Sequence, residues 1–175
     1  MISITKATQK DFQLIVNIGK VVVGEAHKNA APLEDMKDYL QRNYNDDAIK
    51  EELSDPNNIY HIINYNSLPV GFSKITFNAA HPNIVAENIT MLDRIYLLKE
   101  FSGLKLGMRL LNFNIVLSKD HGQAGIWLYT WVGNERAINF YQKAGFTIIG
   151  SHHFYVTPAY YNVNHQMYLP IPASH

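Results

Sequence analysis

The segment from Ile126 to Phe146 restricts the fold of this chain more than any other stretch. Ile126-Trp127-Leu128-Tyr129 is a short apolar run that reads as a buried strand. Asn134 then makes a good N-cap, Ala137, Phe140, Tyr141 and Ala144 share one helical face, and Gly145 stops the helix. A chain with such a pair must build a sheet and lay a helix against it.

The remaining pattern extends that sheet. Ile2, Ile4 and Lys6 alternate like an edge strand, and Thr8 with Asp11 forms a capping box ahead of a helical stripe of Phe12, Ile15, Gly19, Val22, Val23 and Ala26. A second helix begins near Pro32 with Met36, Leu40 and Tyr44 as its stripe. A third carries Ile49 and Leu53, is capped by Asp46 and Asp47, and ends before Asp55-Pro56. Tyr60–Tyr65 and Val70–Phe77 read as strands joined by a turn at Asn66-Ser67, and Ile89–Leu97 as a longer central strand. After Lys99–Gly103 comes a helix with Leu106, Leu110, Phe113 and Leu117. Thr147–Gly150, Phe154–Val156 and Gln166–Leu169 close the chain as strands. With no repeats or linkers, residues 1–175 form one α/β domain around a mixed sheet.

Composition narrows the function. There is no cysteine, which excludes disulfides, zinc-thiolate sites and thiol nucleophiles. No apolar run approaches the ~18 residues of a membrane span, and the start lacks a signal-peptide core, so a cytoplasmic location is expected. The formal net charge of zero argues against nucleic acid as a partner. Charge is nevertheless uneven. Pro32–Pro56 holds eight acidic and three basic residues, whereas Asp93–Lys143 holds four acidic and seven basic. Such halves suit either two solvated helix faces or an anionic cofactor opposite a cationic substrate.

The run Asn134-Glu135-Arg136-Ala137-Ile138-Asn139-Phe140-Tyr141-Gln142-Lys143-Ala144-Gly145-Phe146, placed after a buried strand, resembles the acyl-CoA-binding half of the GCN5-related N-acetyltransferases (GNAT). The resemblance implies a mostly antiparallel mixed sheet flanked by helices, with an acetyl-CoA-binding core at residues 89–146 and the acceptor side in the N-terminal half. It implies transfer of an acetyl group from acetyl-CoA to an amine, without a metal. The central strand Ile95, Tyr96 and Leu97 would pair with the pantetheine arm, which Asn134 also meets. Ser102, Gly103, Leu104, Lys105, Leu106, Gly107 and Met108 form the loop and helix start expected to take the pyrophosphate. There Ser102, Lys105 and Gly107 stand at the family's motif positions, and only Gly107 matches. A helix start offers unpaired N–H groups to an anion, to which Lys105 and Arg109 can add charge. Arg136 and Lys143 are candidates near the CoA tail.

Acetyl transfer requires the amine to lose a proton, a donor for the oxyanion, and a proton for the thiolate. By resemblance Tyr141 supplies the last and the Leu97 N–H serves the oxyanion. A carboxylate takes the amine proton, Asp93 or else Glu87, although a solvated surface residue describes Glu87 equally well.

The resemblance extends to bacterial spermidine/spermine N-acetyltransferases of the PaiA type. It does so through Pro32–Leu40, Leu92-Asp93-Arg94-Ile95-Tyr96, where Asp93 replaces a glutamate, and Gly150-Ser151-His152-His153-Phe154-Tyr155. It implies a small cationic amine such as a polyamine as acceptor, with His152 near it. The alternatives are an aminoglycoside, a protein N-terminus or lysine, and an acyl-CoA-binding regulatory module with little turnover. Adjacent His152 and His153 point to opposite faces of a strand, so they form no metal pair. His27, His61, His81 and His121 stand alone and are expected to have no catalytic part. A homodimer is common in the family; Tyr160-Tyr161 and Pro170-Ile171-Pro172 can supply its interface or simply pack on the domain.

Overall fold

The computed structural model describes residues 1–173. Strand β1 (Ile2–Lys6) leads through a short 3-10 turn into helix α1 (Phe12–Ala26), then α2 (Leu33–Asn43) and α3 (Asp46–Ser54). Strands β2 (Ile59–Tyr65), β3 (Leu68–Thr76) and β4 (Thr90–Leu97) follow, then α4 (Leu106–Asp120), β5 (Gly125–Trp131), α5 (Glu135–Lys143), β6 (Thr147–Thr157) and β7 (Tyr160–Pro170).

Local chemistry accounts for most boundaries. Thr8 N–H donates to Asp11 Oδ2 at 2.8 Å, completing the capping box before α1. At α3 the cap is Asn45, whose Oδ1 accepts from Ala48 N–H at 2.8 Å. Asp46 and Asp47, expected as caps, instead occupy the first turn, where negative charge favours the helix dipole. Asn66 and Ser67 both have positive φ, 48° and 67°, as a tight two-residue hairpin requires.

The seven strands form one sheet in the order β1-β2-β3-β4-β5-β7-β6, antiparallel except for β4 and β5. Its end differs from expectation, because two long strands replace three short ones. Bulges near Ile148–Gly150 and Tyr155–Thr157 break the period-2 pattern, so the polar stretch through His152 and His153 does not look like strand.

Ile15, Val23, Tyr44 and Ile49 from the helical layer pack with Tyr60 and Phe72 of β2 and β3. Leu111 of α4 packs with Leu92, Ile126, Leu128, Phe146 and Met167, and Phe140 and Tyr141 of α5 lie against them. Burying each such side chain contributes about 1.5–3 kcal/mol, which holds α4 and α5 to the sheet.

One irregularity positions everything that follows. β4 meets β5 only through Thr90–Ile126 and Met91–Trp127. Across from it, Lys74 pairs with Arg94 and Ile75 with Leu92, which leaves Asp93 as the extra residue of a bulge. A bulge bends its strand and increases its twist. Past Met91, β4 stays with β3 while β5 stays with β7, and the sheet splays open.

Candidate active site

The splay opens into a cavity of about 410 Å³. His27 at the end of α1 and Met36 and Tyr39 of α2 bound it on one side, and Asn134, Ala137 and Tyr141 on another. Its walls are Met91–Tyr96 of β4, Tyr129–Trp131 of β5, His152 and Phe154 of β6, and Asn162 and Asn164 of β7.

Among the described residues, the edge of β4 facing the gap has no strand partner beyond Met91. Leu98 N–H donates to Val70 O at 2.8 Å on the β3 side. Hydrogen-bonded and non-bonded positions alternate along an antiparallel pair, so the N–H groups of Ile95 and Leu97 turn to the open side. They can pair with an extended ligand or polarise a carbonyl there. Gly71 permits this placement: a Cβ on it would lie 2.4 Å from Tyr96 O and 3.2 Å from Leu97 Cα.

At the far end of β4, Ser102, Gly103, Leu104 and Lys105 are exposed and precede α4. Gly103 has φ +85° and Lys105 φ +59°, so Lys105 sits in the left-handed region that favours glycine. The family motif has glycine at that position, and the lysine is accommodated at a backbone cost of about 1–2 kcal/mol. The first intrahelical bond is Arg109 N–H to Lys105 O at 3.1 Å. The N–H groups of Leu106, Gly107 and Met108 precede it and are available to an anion. Gly107 packs beside Phe140, whose ring would lie 3.6 Å from an added Cβ, so α4 and α5 sit close together here.

Asn134 lines the cavity while capping α5, its Oδ1 accepting from Ala137 N–H at 3.1 Å. Two turns on, Tyr141 packs edge-on against Phe140 and Phe146, with centroids 5.3 and 5.7 Å away. Burial raises its phenol well above the ordinary value, so it is protonated at neutral pH. Arg136 and Lys143, on the same helix, are exposed outside the cavity.

Asp93 and Arg94 both line the cavity, because the bulge removes the alternation that would send neighbours to opposite faces. Asp93 Oδ2 lies 2.8 Å from Lys74 Nζ and 3.9 Å from Arg94 Nε. Lys74 also contacts Glu52 Oε1 at 3.2 Å, and Arg94 clamps Glu52 through 2.8 and 3.2 Å bonds. Tyr60 OH bonds to Glu52 and lies 2.6 Å from Arg94 Nη1. Burial pushes the Glu52 carboxyl up, but Arg94, Tyr60 and Lys74 together hold it below its usual range. Glu52, part of the acidic stretch, is thus consumed in a network beneath the cavity. Glu87 is exposed on the connection before β4 and does not line the cavity.

Three residues with no expected role gather here. His27 Nε2 lies 3.4 Å from Tyr96 OH. His81 Nε2 lies 2.7 Å from the hydroxyl of Tyr129, and the Tyr129 ring stacks on His152 at 4.1 Å, 9° from parallel. His153, on the other face, stacks on Tyr161. Neither His27 nor His81 carries a local motif; the folding of the α1 end brings His27 onto the cavity, and the β3–β4 connection brings His81 behind Tyr129, which lines it. His61 packs on Phe113 and His121 on Phe77, outside it.

Residues 23–146 match the profile of the acetyltransferase (GNAT) family. An uncharacterised N-acetyltransferase from the pepI 3′ region of Lactobacillus delbrueckii subsp. lactis is 26% identical over 153 residues, 87% of this chain and 88% of the relative. Among solved structures, the PaiA N-acetyltransferase of Thermoplasma acidophilum in complex with coenzyme A superposes with a TM-score of 0.77 at 19% identity, covering 98% of this chain and 99% of that one. The ribosomal-protein-S18-alanine N-acetyltransferase of Escherichia coli gives 0.73 at 18% identity, covering 100% and 97%. At such identities these two likenesses speak for the fold. The unpaired β4 edge and the α4 N-terminus fit a thioester arm ending in a phosphorylated nucleotide. The chain belongs to the GNAT family and is an acetyl-CoA-dependent N-acetyltransferase.

Proposed function

We propose that this family member acetylates the primary amine of a small molecule that enters from the α1–α2 side and meets acetyl-CoA in the β4–β5 splay. The observation that carries the reading is the convergence of Tyr141 and Asn134 on the cavity that the open edge of β4 borders through Ile95 and Tyr96. Bound acetyl-CoA supplies an acetyl thioester. Asn134 and the β4 edge orient the pantetheine arm, and Leu106–Met108 N–H groups with Lys105 and Arg109 hold the phosphates. Ser102, Gly103 and Leu104 form the turn that presents them, with Arg136 and Lys143 toward the exposed tail. The Leu97 N–H stabilises negative charge growing on the carbonyl oxygen, and Tyr141 holds a proton for the departing sulfur. Both reactants bind together, so attack is direct.

A polyamine is the narrower reading. Its support is the resemblance through His152 and the acidic surface of α2, where Glu34, Asp35 and Asp38 lie outside the cavity. Inside, Asp93 is the one carboxylate among the described lining residues, and it can face a single ammonium. Asp93 is the carboxylate to which the family resemblance gives the amine proton, but Lys74 is already bound to it at 2.8 Å. A homodimer through the exposed Tyr155, Tyr161 and Val163 of β6 and β7 belongs to the same proposal. Ile171, by contrast, packs on the chain's own core and bonds to Ala124 O.

The test is incubation with acetyl-CoA and a panel of monoamines, polyamines, aminoglycosides and N-terminal peptides, following CoA thiol and acetylated product by mass spectrometry. Turnover of small amines is expected. Tight acetyl-CoA binding in calorimetry with no acetylated amine would turn the reading to a CoA-binding regulatory module.

A further inference from the structure

The cavity has an unassigned pair on its acceptor side. His27 closes α1, on the helical layer, and its ring meets Tyr96 of β4 edge-on at 6.4 Å, with Nε2 3.4 Å from the phenol oxygen. Tyr96 precedes Leu97, whose N–H points into the splay. Both rings line the cavity. The groups with which a proton acceptor would compete are otherwise engaged. Asp93 is bound by Lys74 at 2.8 Å, and His152 lies face-on to Tyr129 across the sheet from β4.

We propose that Tyr96 and His27 form the relay that removes the first proton from the acceptor ammonium, a role that rests on the amine acetylation proposed above. The ammonium N–H bond breaks and its proton passes to the Tyr96 oxygen. At the same time the Tyr96 O–H bond breaks and that proton moves to His27 Nε2. The phenol stays neutral throughout, and the imidazolium that forms, partly exposed at the end of α1, returns its proton to water. The second amine proton, released after attack, restores Tyr141, whose own proton has gone to sulfur. Charges and protons balance with no further reactant.

Electrostatics are compatible with this direction of transfer. Burial lowers the His27 pKa, so the ring is neutral and ready to accept at pH 7. Burial, with Tyr39 beyond it, raises the Tyr96 phenol, which favours its neutral form and hence a proton passed on as another is taken up. Tyr96 and Tyr141 line the same cavity, from β4 and α5. The charged and titratable groups that share the cavity with His27 are Tyr96, Asp93 and Arg94 on β4, Tyr39 on α2, Tyr129 on β5, Tyr141 on α5 and His152 on β6. Glu25 and Lys28 beside it are exposed.

The experiment compares wild type, His27→Gln and Tyr96→Phe in kcat/KM from pH 6 to 10, using the best amine of the panel, with acetyl-CoA affinity measured by calorimetry as the check on folding. Both variants should lose roughly 10²-fold at pH 7, the usual weight of general base catalysis. They should recover toward wild type as the solution approaches the amine's own pKa, and free imidazole should rescue His27→Gln. A loss of equal size at every pH, or none, overturns the relay while leaving the acetylation intact. Wild type that acetylates no amine overturns the underlying reading instead.

Discussion

Lys74 Nζ lies 2.8 Å from Asp93 Oδ2 and, on its other side, 3.2 Å from Glu52 Oε1. The lysine side chain is 10% exposed, so its charge is stabilised almost wholly by these two carboxylates. It joins the helical layer to the bulge that opens the sheet. Lys74→Met leaves both carboxylates short of a partner and should cost about 2–3 kcal/mol of stability, read as a lower urea midpoint. A shift under 0.5 kcal/mol would mean that Arg94 alone compensates them. Asp93→Asn separates Asp93 from the Tyr96–His27 relay as acceptor of the amine proton: an unchanged pH profile is expected, and a displaced one would assign the proton to Asp93.

Tyr141→Phe removes the one cavity phenol on α5 and retains the ring that packs on Phe140 and Phe146. kcat should fall roughly 10²–10³-fold with little change in acetyl-CoA affinity. Unchanged single-turnover rates would dismiss Tyr141 as the acid.

Gly71→Ala would place a methyl group 2.4 Å from Tyr96 O. β4 must move, carrying the Leu97 N–H with it, and a shift of this order costs roughly 10²-fold in rate. The measurement is kcat/KM beside a thermal melt: a large kinetic loss in a folded protein is expected, and intact kinetics would remove the β4 edge from the site.

Lys105→Gly relieves the left-handed φ of +59° at the start of α4. Offset by glycine's greater chain entropy, the gain should be about 0.5–1 kcal/mol, or about 1–4 °C in Tm. Loss of the lysine charge should weaken acetyl-CoA binding severalfold at low salt. A lower Tm would contradict the strain.

Burial, helped by the charge of Lys6, lowers the His61 pKa to about 4 from 6.5. Between those values the unfolded chain takes up a proton that the folded one refuses, so stability falls as pH drops from about 6.5 to about 4. Glu52, whose folded pKa is depressed, adds a further loss as pH falls below the ordinary carboxylate value of 4.5 and through its lower folded one. His61→Phe should flatten the upper part of this window in Tm against pH; an unchanged slope would assign it to other groups.

Local chemistry alone fixes much of this protein. Asn134, the apolar face of α5 and Gly145 specify a strand–helix unit because caps, periodicity and positive φ are short-range properties. Thr8 with Asp11 and the Asn66-Ser67 turn are equally local. The full length of the closing strands is not legible locally, since their bulges erase the alternation by which a strand is read. Asn45 is masked as a cap in the sequence by the two aspartates that follow it.

The site itself depended on distance in space. Asp93 and Arg94 share a face only because β3 leaves one residue of β4 unpaired, and His27 meets Tyr96 only because α1 packs over β4. Lys105 in the left-handed region has the same character, since φ is set by the path of the loop and not by the lysine. Sequence determined which helix carries Asn134 and Tyr141, through hydrogen bonds that span three or four residues. Tertiary structure decided which charges neutralise each other and which groups border the splay, because a bulge and an incomplete strand pairing belong to two strands at once.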